Sequence, residues 1–373
     1  MKIVIDKSDL NIATARSQGA ISDRAMAQIG LKAVEDRLHV SVADRVLVIY
    51  STLACEVLTP GDSFVPARLF SDVVRELPEG PVTLEKTDTF LVITAGTRGE
   101  FVMKLPRTDD REWRDPPVID SDNFADLPSG KLHYMIDQVH FCVAQESPRN
   151  YGAVGFFHKP ADGKLRLVGT DGFRLSFSEI AMDLPGTFLD SGVCLSKRAL
   201  NEMQRMCSEG FENIRISISE DQTTLAAAAP DYQIYVRLSA VKYPNYQGVL
   251  PSNDLTPVEI ARPYMQSVIK RVLLAADKTK AIRLCFSGDT LTMRSRTVGS
   301  SEGEEAVPLE DFSGEDRILT INGKFLNDVF STISSTDVAL SFKSEDDPIV
   351  LIPKKEPASC HSMHVLVPIR ETN

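Results

Sequence analysis

The chain has 373 residues, of which 43% are hydrophobic and 25% charged, with 41 Lys and Arg against 52 Asp and Glu for a net charge of −11. At roughly 100–200 residues per domain this length predicts two or three soluble domains, and the acidic balance excludes a protein coated all round with basic groups. No run approaches the roughly 18–20 apolar residues of a membrane span, and the opening Met1–Asp6 has no signal-peptide pattern, so a cytoplasmic protein is expected.

The predicted elements repeat in three successive thirds. In the first, a helical pattern over 10–18 precedes an alternating strand at 37–42. A second helix follows from Pro66, with Leu69, Phe70, Val73, Val74 and Leu77 on one face, and a strand pair at 89–94 and 100–105 closes the third. A proline-bearing charged stretch at 106–122 reads as a linker. The middle third predicts a helix at 135–147, strands at 165–168 and 174–177 around an Asp171-Gly172 turn, a helix from Ser196 and a strand pair at 223–228 and 233–238. The stretch 243–251 reads as the second linker. The last third predicts a helix at 264–278, a strand at 282–286, a helix from Asn322 and a strand pair at 349–352 and 364–368. The second helices therefore start at Pro66, Ser196 and Asn322, a near-constant period that marks an internal repeat. Three α+β domains follow, 1–122, 123–251 and 252–373, each with two helices and about eight short antiparallel strands.

The six helical segments carry ten Lys or Arg and eight Asp or Glu, so they are less acidic than the remainder. A surface shared by these helices is the one suited to phosphates, through sparse, salt-sensitive contacts that do not read base sequence.

No catalytic constellation emerges. The six cysteines (Cys55, Cys142, Cys194, Cys207, Cys285 and Cys360) contain no C-x-x-C spacing and read as buried thiols of a reducing compartment. Among the histidines only His361 and His364 are close, without a companion carboxylate pattern, so no metal and no cofactor are expected. An enzyme reading centred on Asp171 and Arg174 lacks companion residues. The apolar residues Leu175, Pro244, Val249 and 365–369 lie in turn-flanking or terminal segments and are expected to form an exposed patch that anchors an extended peptide.

Five motifs, Val65-Pro-Ala-Arg-Leu-Phe70, Leu77-Pro-Glu-Gly80, Thr170-Asp-Gly-Phe-Arg-Leu175, Tyr243-Pro-Asn-Tyr-Gln-Gly-Val-Leu-Pro251 and Val367-Pro-Ile-Arg370, closely resemble the bacterial DNA polymerase III beta subunit family, over essentially the whole chain. The resemblance implies a DNA clamp fold and a non-catalytic processivity factor. Two copies would close head to tail into a homodimer ring around double-stranded DNA, with helices lining the hole. It implies as partners the polymerase III catalytic subunit, an ATP-using clamp loader, and other polymerases and repair proteins that carry a short motif with a Gln and one or two Leu or Phe anchors. The pocket for that motif would comprise Ala153, Thr170, Gly172, Phe173, Arg174, Leu175, Pro244, Val249, Asn322, Phe325, Pro348, Val365, Leu366, Val367, Pro368, Ile369 and Arg370. DNA contacts would fall at Arg24, Arg75, Arg149, Asn150, Tyr151, Lys197 and Arg198. The dimer interface would use Phe101 and Met103 in the first domain and Leu273 and Leu274 in the third. Ala153, Phe173, Gly248 and Glu146 depart from the family's usual residues. The alternative is a clamp-fold protein-binding scaffold that does not encircle DNA.

Overall fold

The computed structural model describes residues 1–21, 27–96, 98–108, 112–117, 123–145, 150–250, 257–309 and 316–370. Arg24, Glu146 and Arg149 lie outside the described residues, as does the side chain of Asn150.

The first third runs β1 (Lys2–Asp6), α1 (Lys7–Ser17), β2 (Gln28–Val34), β3 (Arg37–Ala43), β4 (Leu47–Ala54), β5 (Glu56–Thr59), β6 (Gly61–Pro66), α2 (Ala67–Glu76), β7 (Pro81–Lys86), β8 (Phe90–Ala95) and β9 (Phe101–Pro106). The middle third runs β10 (Phe124–Pro128), α3 (Ser129–His140), β11 (Val154–His158), β12 (Leu165–Thr170), β13 (Arg174–Ile180), β14 (Val193–Ser196), α4 (Lys197–Cys207), β15 (Asn213–Ile218), β16 (Thr224–Ala229) and β17 (Tyr232–Arg237). The last third runs β18 (Val258–Ala261), α5 (Arg262–Val272), β19 (Ala281–Ser287), β20 (Thr290–Thr297), β21 (Ser301–Pro308), β22 (Arg317–Asn322), α6 (Gly323–Thr332), β23 (Asp337–Ser341), β24 (Ile349–Pro353) and β25 (Cys360–Leu366). Each third thus holds two helices and eight or nine strands among the described residues, the α+β content read from the sequence.

Two compact units divide this chain. The first comprises 1–132, 185–188 and 198–239, and the second the remaining residues. The first unit holds a sheet of order β5-β1-β7-β8-β9 and one of order β10-β15-β16-β17-β4-β3-β2-β6. The second holds β14-β11-β12-β13-β25-β24-β23-β18 and β21-β20-β19-β22. Every pairing is antiparallel, and the middle third gives four strands to each eight-stranded sheet.

The helices form where an apolar face and a start signal coincide. Asn322 caps α6, its Oδ1 accepting from Lys324 N at 3.0 Å and Phe325 N at 3.3 Å. The buried Leu326, Val329 and Phe330 recur at helical spacing and join Met265, Val268, Ile269 and Val272 of α5 over the sheet residues Ile282, Leu284 and Phe286. At roughly 1.5–3 kcal/mol for each such side chain, this core is the main stabilising term of the last third.

Three expectations need correction. Helix α3 occupies Ser129–His140 rather than 135–147, because its buried face already starts at Leu132 and continues through Met135, Ile136 and Val139. Tight turns then close its end, with Cys142 N donating to Val139 O and Val143 N to His140 O. Helix α5 spans Arg262–Val272 rather than 264–278; a short 3-10 turn follows at Leu273–Ala275, and Asp277 takes Thr279 N at 2.8 Å to form a loop. Of the cysteines, Cys142, Cys194 and Cys207 are buried, whereas Cys55, Cys285 and Cys360 are partly exposed; all are free thiols.

The first linker is not bare chain. Trp113 docks edge-on to Tyr50 (6.3 Å), whose hydroxyl donates to Arg114 O at 3.1 Å, and a cavity of about 320 Å³ opens beside them.

Candidate functional site

The Asp171-Gly172 turn is the starting point for the site. Gly172 has φ +90°, the left-handed region that glycine adopts without a Cβ penalty. Asp171 Oδ1 accepts from Phe173 N (3.0 Å) and Arg174 N (3.1 Å), and Thr170 Oγ1 donates to Arg174 O (2.6 Å). With the turn fixed, β12 and β13 register as Thr170 opposite Leu175, Val168 opposite Phe177 and Arg166 opposite Glu179. β25 then pairs with β13, Leu175 opposite Val365, and its continuation is held as Val367 N donates to Phe173 O at 3.0 Å.

Side-chain alternation sets what this edge presents. Leu175, Val365 and Leu366 are buried, which corrects the expectation that they lie exposed. Of the expected patch, Val249 (47%), Val367 (42%) and Ile369 are exposed, and Phe173 (59%) joins them. Thr170, Leu175 and Val365 form adjoining floor positions on one sheet face, and Leu175 and Val365 share an apolar cluster with Tyr246 and Leu250. Pro244 is exposed and Pro348 half-buried. Ile369 is tied down through its N–H to Thr320 O at 2.7 Å. Ala153 ends a 3-10 turn immediately before β11, Arg370 is exposed, and the Asn322 amide is occupied as a helix cap.

Arg174 is the charged centre of this region and is fully engaged. Its guanidinium donates to Asp171 Oδ2 (2.9 Å), Asp328 Oδ2 (2.7 Å) and Phe141 O (2.9 Å), and lies 4.3 Å from the Phe325 ring centroid. It therefore ties the start of β13 to α6 and to the end of α3, and offers no spare fork to a ligand carboxylate.

No thiol here is a nucleophile. Burial pushes Cys142 up to about 12 and Cys194 up to about 11. Asp171 is a turn acceptor and ion-pair partner, so the enzyme reading has no base poised over a reacting group.

Of the expected DNA-facing residues, Arg75 is exposed and pairs with Asp72 at 3.2 Å within its own helix. Arg198 is held by Asp44 and donates from Nε to Gly19 O at 2.8 Å. Lys197 has no carboxylate partner among the described residues, and burial, with Arg174 adding, holds its ammonium below the ordinary value. Tyr151 is half-buried in the 3-10 turn before β11. Of the expected interface residues, Phe101 and Met103 lie on β9, an edge strand of its sheet, with Met103 exposed. Leu274 is 86% exposed in the turn after α5, and Leu273 beside it is half-buried.

Sequence reasoning missed the residues on the adjoining rungs of this sheet: Phe156, His158, Arg166 and Glu179. Counting outward from an Asp171-Gly172 turn would place Arg166 opposite Phe177, whereas the hairpin is centred on Gly172-Phe173 and places it opposite Glu179, so the sequence signal was two residues out of register.

Comparison with known proteins gives a consistent result. Three family models match in chain order: the N-terminal domain of the DNA polymerase III beta subunit over residues 1–112, the central domain over 126–245 and the C-terminal domain over 247–370. A curated relative, the beta sliding clamp of Caulobacter vibrioides, is 25% identical over 385 aligned positions, covering 99% of this chain and all of the relative. That of Synechococcus elongatus is 26% identical, covering 95% and 96% of the two chains. Among solved structures, a sliding clamp from Pseudomonas aeruginosa superposes with a TM-score of 0.89 at 21% identity over the full length of both chains. One from Caulobacter crescentus gives 0.88 at 24%, covering 100% of this chain and 99% of the other. These structures share the fold.

Proposed function

The chain belongs to the DNA polymerase III beta subunit family, and from that premise we infer that it is a DNA sliding clamp, a replication processivity factor. The observation that carries this is the match of three successive domain models, in order, over nearly the whole chain. The three domains are 1–122, 123–251 and 252–373. Two copies close head to tail, the edge of β9 with Phe101 and Met103 meeting the Leu273–Leu274 turn after α5 in the second copy. Such a contact joins unlike surfaces, and two of them close a ring. The exposed Met103 and Leu274 support it, since isolated apolar side chains of this size gain by burial.

The clamp works by topology rather than catalysis. A closed ring diffuses along duplex while a tethered polymerase stays at high effective concentration near the primer end. Opening it is the task of a separate clamp loader in the cytoplasm. Polymerases and repair proteins dock a short Gln- and Leu- or Phe-bearing motif on the floor of Thr170, Leu175 and Val365, between Phe173, Val249, Val367 and Ile369. The mixed apolar floor and exposed apolar rim support this reading.

Small-angle scattering on a size-exclusion peak tests the assembly. A hollow particle of about twice the 41.1 kDa chain mass is expected. A solid 41.1 kDa monomer at micromolar concentration would rule out the interface and bring the scaffold reading forward. Retention on a closed DNA circle, lost on linearisation, separates encirclement from ordinary binding.

A further inference from the structure

The loop after β17 carries Pro244 and Val249, yet apart from a short 3-10 turn at Gln247–Val249 it has no regular structure of its own. Two tyrosines hold it. Tyr243 stacks on Phe156 (5.0 Å between centroids, 13° between planes) and its hydroxyl donates to Val168 O at 3.3 Å. Tyr246 is buried, and its hydroxyl lies 3.0 Å from Arg166 Nη1 and 2.9 Å from His158 Nε2.

The direction of the Arg166 bond is fixed by chemistry, and that of the His158 bond by the imidazole tautomer. A guanidinium only donates, so the Tyr246 oxygen accepts from Arg166 and its proton is left for His158. In the neutral tautomer that leaves Nε2 unprotonated, His158 accepts that proton. Burial, reinforced by the Arg166 charge, keeps the ring neutral, with a pKa lowered to about 4. Arg166 is locked in turn by Glu179, which takes its Nε at 2.9 Å, while the other Glu179 oxygen takes Lys164 Nζ at 2.5 Å.

The sheet register places this relay beside the pocket. His158, Arg166 and Glu179 are direct cross-strand neighbours on β11, β12 and β13. The next rung on the same face is Phe156, Val168 and Phe177, and the one after it contains Thr170 and Leu175, the pocket floor. One face thus runs from a polar anchor, through an apolar rung, to the site.

We propose that Tyr246 is a positioning residue for peptide capture: the Arg166–Tyr246–His158 relay sets where the Pro244 and Val249 wall stands over the Leu175 floor, without touching the peptide. This rests on the pocket reading above. Tyr246→Phe removes one hydroxyl and no packing volume of consequence. His158→Leu removes the acceptor, whereas His158→Gln keeps an acceptor oxygen near the Nε2 position.

The test is fluorescence anisotropy on the full-length protein, with a labelled peptide carrying one Gln and two Leu or Phe anchors, and thermal unfolding run alongside. Tyr246→Phe and His158→Leu are each expected to raise Kd about three- to tenfold, the range of one buried hydrogen bond. The double variant should be no worse than either alone, and His158→Gln should stay near the parent. A lowered Tm with unchanged Kd in both single variants would show a merely structural role and overturn the proposal. Leu175→Ala serves as the reference. If it weakens binding while the relay variants do not, the relay fails and the pocket stands. If it too leaves Kd unchanged, the pocket reading is lost and the relay with it.

Discussion

Replacing Arg174 by Met isolates the contribution of the tie at the start of β13. The parent side chain is buried and makes three charge-assisted hydrogen bonds, to Asp171, Asp328 and the Phe141 carbonyl, with its face on Phe325. Methionine retains most of the apolar contact but leaves two carboxylates and a carbonyl without their donor. Breaking a buried pair from one side costs about 3–5 kcal/mol. Here the Asp171 and Asp328 side chains keep 18% and 27% exposure, so water recovers part of the loss. Asp171 also keeps its two backbone donors. The lower end, about 3 kcal/mol, is therefore expected, equivalent to a Tm fall of roughly 6–12 °C for a unit of this size. Differential scanning calorimetry checks it. Arg174→Lys should recover about half at most, because a compact ammonium reaches one carboxylate and not both with the carbonyl. Pairing Arg174→Met with Asp328→Asn should relieve part of the loss by removing a stranded charge. A Tm change under about 2 °C in Arg174→Met would refute the view that this guanidinium braces the site.

Three further outcomes follow from named contacts. Gly169→Ala would set a Cβ 2.8 Å from Val139 Cγ1 and 3.1 Å from Val139 O, backbone that cannot yield cheaply; a loss of about 1–3 kcal/mol in urea unfolding is expected, and a neutral result would contradict the close β12–α3 packing. His364 is fully buried with its pKa lowered by desolvation to about 3 from 6.5, so between these values the unfolded chain binds more protons and stability falls as pH drops. The slope from this group approaches about 1.4 kcal/mol per pH unit, and His364→Gln should flatten Tm against pH below 6.5; equal slopes in parent and variant would exclude His364 as the source. Lys197→Glu should weaken duplex association uniformly across sequences and lower the salt slope by about 1–2, measured by anisotropy over a salt series; identical slopes would remove Lys197 from the DNA contacts.

The local part of this fold was legible because local rules decide it. The period-2 runs place β8 with β9 and β16 with β17 within a residue of their observed bounds and give the β24 start, whereas β25 begins at Cys360, ahead of the expected 364. The Asp171-Gly172 hairpin and the Asn322 cap follow from turn and cap chemistry within a few residues. Helix α3 was misplaced because Ser129 and Gly130 are weak helix formers, and its start is decided by packing of Leu132 and Met135. The candidate site was half legible. Its apolar residues were named, but which were floor and which rim depends on the β13–β25 register across a sequence separation that no local rule spans. Arg174 shows the same limit: Asp171 is three residues away and readable, Asp328 is 154 residues away and is not.

The helix charges bear on how such a protein can hold DNA. Several helix cations already have protein partners: Arg16 with Glu209 and Asp231, Arg198 with Asp44, Arg205 with Glu202 and Arg271 with Glu305. Arg68, Lys131, Lys197, Lys270 and Lys324 have no carboxylate partner among the described residues. Each phosphate neutralised contributes about 0.9 to the salt slope, so a handful of available cations supports only weak, sequence-blind association. A net charge of −11 on the whole chain further disfavours lateral adhesion to duplex. Affinity of this kind cannot keep an open protein on DNA over the length of a replicated tract. Closure can, because a ring leaves only by opening or by running off an end, and the weakness of its contacts then becomes the condition for sliding.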